Sequence, residues 1–240
     1  MRFIRHVIAS VGLAAALLPA TAAYTEAGEI TAPVIVELFT SQGCSSCPPA
    51  DAYLAELAGR GDVIALSLHV DYWDYLGWRD TFAQRAFTER QYEYRDAWSA
   101  RVVYTPQLVV QGRRIDPGSQ IRQVEDALSR IPRPETGIAV LESDGGLRAD
   151  LNPGIVAAGQ VWIARYRQEE TVKINRGENA GEAITYHNIV TEIMPYGTWD
   201  GTSVRSIDLP IPTPGEGVVI WVQAPGNGPI LNAAGYEPDA

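Results

Sequence analysis

Positive charge is scarce in this chain. Lysine and arginine number 19 against 29 acidic residues, a formal charge of −10 at pH 7. A scattered acidic surface repels phosphate backbones and anionic lipid, so nucleic acid and anionic membrane surfaces are excluded as partners. Long apolar runs are also few. After the one at the N-terminus, none approaches the ~20 residues that a membrane-spanning helix needs. There is no internal repeat and no low-complexity tract. Cysteine is rarer still: the 240 residues hold two, Cys44 and Cys47. Beyond the N-terminal segment the histidines are His69 and His187. One Cys-x-x-Cys pair with no second pair is a poor zinc site, since structural zinc takes four ligands.

The N-terminus reads "MRFIRHVIASVGLAAALLPATAAYTEAGE". Arg2 and Arg5 precede an apolar run from Val7 to Leu18. Pro19 breaks the run, and Ala20-Thr21-Ala22 supplies small residues for a peptidase. That is the form of a secretory signal peptide, placed at residues 1–23. No cysteine follows directly, so lipid modification of the mature N-terminus is excluded. The expected mature protein is periplasmic or secreted, with no membrane span after cleavage.

The next segment, "PVIVELF", is a β-branched run of strand length. A Gly-Cys turn leads into "PPADAYLAELAGRG", where the prolines suit only a first helical turn. "DVIALSLHV" is a second β-run, so the unit is βαβ with parallel strands. Thr81 and Gln84 have capping-box spacing, and Phe87, Gln91, Tyr94 and Trp98 share one helical face, which predicts a helix over 81–100. Strand, turn and strand follow in "TPQLVVQGRRID", and a helix carries Ile121, Val124, Leu128 and Ile131. The expected order is β-α-β-α-β-β-α over residues 30–132. After the Pro-rich break "PRPETG" the pattern changes to short strands with Gly, Pro and Asn turns. Val161, Ile163 and Arg165 alternate with Trp162, Ala164 and Tyr166. This predicts an all-β, sandwich-like domain over 136–240.

The stretch "TSQGCSSCPPAD" carries the chemistry. A structural disulfide between Cys44 and Cys47 would close almost the shortest loop possible, where such a bond stabilises least. A soft ion such as copper(I) needs only two thiolates, and His69 would complete a Cys44, Cys47, His69 site. Redox chemistry is favoured by context, because the pair sits between strand and helix of a βαβ unit. A helix N-terminus stabilises a thiolate and makes it reactive at neutral pH.

Residues 33–131 resemble the thioredoxin superfamily. The resemblance implies that Cys44 is the exposed nucleophile and Cys47 the more buried, resolving thiol. It also implies that Pro106, after Thr105, is a cis-proline that presents backbone to a substrate strand. The segments "TSQGCSSCPPAD" and "HVDYWDYLGW" are similar to those of a family of exported bacterial proteins of unknown function. These join a thioredoxin-like α/β domain to a β-rich C-terminal domain. Departures from thioredoxin are Ser45-Ser46 between the cysteines, no Trp before Cys44, and Pro48-Pro49, which move the expected helix start to about Cys47.

His69 and Asp71 end the second strand on the edge where ligands bind in parallel sheets. They are candidates for tuning the thiolate or relaying a proton. Tyr72, Trp73, Tyr75 and Trp78 either form a substrate groove with Thr105 or pack the inserted loop on the sheet. Arg85, Arg90 and Arg95 alternate with acids and predict a solvated ion-pair face. Glu178, Asn179, His187 and Asn188 sit among two Gly-rich turns, which either present a ligand site or are ordinary hairpin turns. The expected activity is thiol–disulfide exchange with envelope proteins and a redox partner, without a cofactor. The alternatives are a copper(I)-binding module and a non-catalytic envelope interaction protein.

Overall fold

The apolar run after Pro33 forms β1 (Val34–Thr40), with every residue buried. In the computed structural model, which describes residues 31–114, 121–143, 145–154 and 157–238, β1 leads through the cysteine turn into α1 (Pro48–Ala58) and β2 (Val63–His69). The expected signal peptide lies outside the described residues. β1 and β2 pair in parallel, with Val34 opposite Val63 and Thr40 opposite His69. Next come α2 (Arg85–Ala97), β3 (Gln107–Val110), the two-residue β4 (Arg113–Arg114) and α3 (Ile121–Arg130). β3 runs antiparallel to β1 and to β4. The order is the one read from the sequence.

Side chains along β1 alternate between two cores, as the strand period of two requires. Val34, Val36 and Leu38 pack with Tyr53, Leu54 and Leu57 of α1 and Val124 and Leu128 of α3. Ile35 and Phe39 face the other way, onto Phe87 and Tyr94 of α2. With both faces covered, the strand is apolar on both faces except at Glu37 and Thr40. α2 starts later than its periodicity suggests, because the capping box does not form. Gln84 is the N-cap but makes no capping bond; its amide donates to Thr191 O at 2.8 Å. Thr81 instead accepts from Gln42 Nε2.

The second half is all strand: β5 (Ile138–Ser143), β6 (Gly146–Leu151), β7 (Gly159–Lys173), β8 (Ala183–Trp199), β9 (Arg205–Leu209), β10 (Glu216–Gln223) and β11 (Ile230–Tyr236). These strands do not make a self-contained sandwich. β8 pairs in parallel with β2 at Ile189 and Ser67. The large sheet therefore runs β11-β10-β7-β8-β2-β1-β3-β4 across both halves of the chain. β5, β6 and β9 form a separate small sheet that packs on the β7–β10 side, Ile138, Leu147 and Ile207 meeting Val161, Ile163 and Ile220. A sandwich layer is present, but its larger sheet is shared with the N-terminal half. The physical reason lies in β7. Val161 and Ile163 face the small sheet, while Trp162, Ala164 and Tyr166 face the α2 core. A strand apolar on both faces needs cover on both, and the N-terminal half supplies the second.

The large sheet curls until its ends meet. Ile230 N–H donates to Gln111 O at 3.0 Å, and Gln111 Nε2 donates back to Ile230 O at 2.9 Å. Gly112 makes this approach possible. Its φ is +70°, and a Cβ there would lie 2.5 Å from Gly228 O. Gly112→Ala should lower stability by about 2 kcal/mol through backbone strain and collision. Urea unfolding measures this; an unshifted midpoint would show that the closure is slack. No helix among the described residues is long and apolar enough to cross a membrane.

Candidate functional site

Pro48 and Pro49 fill the first positions of α1, where an N–H is dispensable. The helix accordingly begins after Cys47, its N-cap residue. Cys47 O accepts from Ala50 N and Asp51 N at 2.8 and 3.0 Å. Cys44 lies in the preceding turn, and the two sulfurs form a disulfide. The helix dipole therefore acts on Cys47 first. The exposed nucleophile implied by the resemblance is not found. Cys44 is 1 % exposed and Cys47 0 %.

Thr105-Pro106 is a cis peptide. Phe39 sits opposite Gln107 in the β1–β3 register, so Pro106 falls beside Thr40, where the cysteine turn leaves β1. Trp73 Nε1 donates to Thr105 Oγ1 at 2.8 Å. Trp73 Cβ would sit 3.2 Å from a Cβ built on Gly43. Trp73 thus fills the space between the cysteine turn and the cis-proline. Tyr72 OH donates to Gln91 Oε1 at 3.1 Å, and Trp78 Nε1 to Gln42 Oε1 at 2.9 Å. Three of the four loop aromatics hold the inserted loop in place; Tyr75 is 80 % exposed.

Gln42 joins these pieces. Its N–H donates to Asp80 Oδ2 at 2.7 Å, and its Oε1 also accepts from Thr81 N at 3.2 Å. Asp80 Oδ2 also meets His69 Nδ1 at 2.7 Å. His69 is fully buried between the rings of Phe82 and Tyr186, at 5.1 and 4.9 Å. Asp51, one turn after Cys47 on the same face of α1, accepts from Thr40 Oγ1 at 2.7 Å. Three buried polar atoms here have no hydrogen-bond partner among the described residues: Asp51 Oδ2, His69 Nε2 and the Tyr186 hydroxyl oxygen. Burial raises the Asp51 carboxyl to about 7, against the opposing pull of His69 and Thr40. For Asp80 burial also pushes upward, but the charge and hydrogen bond of His69 with the Gln42 and Phe82 N–H groups hold it below the usual range. Burial, with Asp51 and Asp80 adding to it, pushes the Tyr186 phenol well up.

Of the predicted pair, His69 belongs to this buried cluster and Asp71 does not. Asp71 Oδ1 accepts from Thr88 Oγ1 at 2.6 Å and so ties the loop after β2 to α2. Among the described residues no group of three or more His, Cys, Asp or Glu is placed to hold a metal ion. In this structure the two sulfurs are joined to each other, and His69 Nδ1 is turned to Asp80.

The main chain at Cys44 is held from the far half of the chain. At the end of the β7–β8 hairpin, Asn179 Nδ2 donates to Gln42 O at 2.9 Å and to Cys44 O at 3.0 Å. Ser45 N–H donates to Glu178 Oε2 at 3.3 Å. Gly177 presses on Trp78, where a Cβ would lie 3.1 Å from Trp78 Cβ. His187 stands apart, 3.7 Å from Glu169, and Asn188 Nδ2 donates to Ala65 O at 2.9 Å. Asp51 and Asp80 carry no signal at their positions in the sequence, and Asn179 stands out there only as a residue of a candidate ligand turn. Asp51 reads as an ordinary first-turn acid, and Asn179 meets its partners across 135 residues or more.

No curated protein matches the sequence. Among solved structures, protein AGR_C_4864 from Agrobacterium tumefaciens is 32 % identical, with a TM-score of 0.74 over 88 % of this chain and 96 % of that one. HBP35 of Porphyromonas gingivalis gives a TM-score of 0.56 at 15 % identity, over 89 % of this chain and 79 % of that one, a likeness of fold alone. Residues 35–223, well over half of the sequence, match a family described as a protein of unknown function (DUF1223), and the chain belongs to that family.

Proposed function

We propose that this is an exported thiol–disulfide oxidoreductase with a thioredoxin-like α/β region, acting on envelope proteins through Cys44 and Cys47. One observation carries the reading: a Cys44–Cys47 disulfide opens the helix of a βαβ unit, beside the cis Thr105-Pro106 strand end. Element order and the parallel β1–β2 pairing support the thioredoxin likeness.

A substrate thiolate attacks Cys44 Sγ, and the Cys44–Cys47 bond breaks. Cys47 leaves as a thiolate at the helix N-cap, where the dipole favours negative charge. Asp51, one turn on, is the nearby buried acid that can supply its proton. A second substrate thiol then attacks the substrate sulfur of the mixed disulfide and releases Cys44. Two electrons pass from substrate to the pair; the reverse sequence reduces a substrate disulfide.

The test is disulfide exchange with reduced and oxidised model proteins. Cys44→Ser should abolish turnover, and Cys47→Ala should accumulate mixed disulfides. A Cys44→Ser protein as active as the parent would sink the assignment.

A further inference from the structure

The disulfide is buried, and the main chain beside Cys44 is held by a segment outside the βαβ unit. That segment is the end of the β7–β8 hairpin, residues 174–182. This segment is held lightly. Ile174 and Asn179 are its buried residues, and the rest are half-buried or exposed. Gly177 and Gly181 have φ of +81° and +93°. Segments with few buried contacts open at low free energy. The polar bonds from the segment to the cysteine turn are those of Asn179 to Gln42 O and Cys44 O, and of Glu178 to Ser45 N–H. All of them address main-chain groups flanking Cys44, the groups an incoming polypeptide has to approach to bring a sulfur to Cys44. On the solvent side, Ser45 and Ser46 are exposed, and Ser46 Oγ lies 3.4 Å from Cys44 Sγ.

From this we infer that the end of the β7–β8 hairpin is the substrate-selecting element of the site. Asn179 is its latch, and an attacking thiol reaches Cys44 only in competition with it. The inference gives the C-terminal half a role, and it rests on the exchange reading for its biological meaning.

Reduction by dithiothreitol tests the latch without requiring a biological substrate. The reagent's thiolate attacks Cys44 Sγ, and Cys47 leaves and takes up a proton. The second thiol of the reagent displaces Cys44, and the reagent closes to its cyclic disulfide. Asn179→Ala in the full chain should speed this reduction about tenfold, the change expected for losing two hydrogen bonds. Glu178→Gln, at an exposed and tolerant position, should give a smaller increase in the same direction. The thermal midpoint of the oxidised protein reports whether each variant folds. If Asn179→Ala fails to fold, Glu178→Gln and Asn179→Asp, which keeps the side chain's size but loses the donor, decide the question. Rates within twofold of the parent in the folded variants would overturn the latch. Exchange with protein substrates is measured separately, so the latch can fail while the oxidoreductase reading stands, and the reverse.

Discussion

Asp51→Asn should stabilise the protein by about 4 kcal/mol above pH 8 and leave it almost unchanged below pH 4. The carboxyl is fully buried, and burial raises it from 3.8 to about 7. In the unfolded chain the proton leaves near 3.8. In the folded chain it stays until about 7. Between these values the folded state binds more protons, so stability falls as pH rises across that window. The contribution is complete below 3.8 and lost above about 7. Asparagine keeps an oxygen for Thr40 Oγ1, whose 2.7 Å bond is retained. Its amide replaces Oδ2, the oxygen with no partner. The variant therefore removes the ionisation without opening a cavity.

Asp80 works in the opposite direction. Its carboxyl is held below the ordinary range, so its stabilisation is present near neutrality and lost in acid. The pH profile of the parent mixes both effects; the difference between parent and Asp51→Asn isolates the first. Urea unfolding at pH 5 and pH 8 measures it. A parent-to-variant difference that does not change with pH would remove the buried proton from the account. Under the exchange reading the same proton serves Cys47, so the stability lost by burying an acid is retained for chemistry.

The local parts of the site were legible because their causes are local. A β-branched run, a turn and a proline-started helix dictate the βαβ unit, and two prolines place Cys47 at the N-cap. The hold of the β7–β8 hairpin on the cysteine turn was not legible, because Asn179 lies 135 residues from Cys44 in a hairpin turn. The continuity of the large sheet hangs on one parallel pairing, Ser67 with Ile189, between strands whose own patterns do not name a neighbour. Trp162 and Tyr166 on the second face of β7 were the available sign that it needed cover on both sides. The solvated arginine face was a misreading with an avoidable cause. Arg85 and Arg95 do meet acids at the surface. Arg90, however, falls three residues after Phe87 and four before Tyr94, on the apolar stripe of α2, and is 2 % exposed. Its partner was visible too: Glu37 occupies an inward position in an otherwise apolar strand.

That pair gives the other large expected effect. Glu37→Gln or Arg90→Met alone should each destabilise the protein by about 3–5 kcal/mol, because each strands the opposite charge in the interior. Arg90 Nε meets Glu37 Oε1 at 2.5 Å. Arg90 Nη2 donates to Tyr94 OH and Gln223 Oε1 at 2.9 and 3.2 Å, and Tyr94 OH donates to Glu37 Oε2 at 2.6 Å. The guanidinium also lies 4.7 Å from the Trp162 ring and 5.4 Å from that of Trp221. The network joins β1, α2, β7 and β10, and so holds both halves of the chain around α2. Replacing the pair together, Glu37→Gln with Arg90→Met, removes both charges and both charge-desolvation penalties. The double variant should then be far less destabilised than the two single losses added together. After Arg90→Met the lone Glu37 must either stay charged in an apolar interior or take up a proton. Single-variant losses below about 1 kcal/mol, or losses that simply add, would mean that water reaches this pair and that the concave face of the sheet is not sealed.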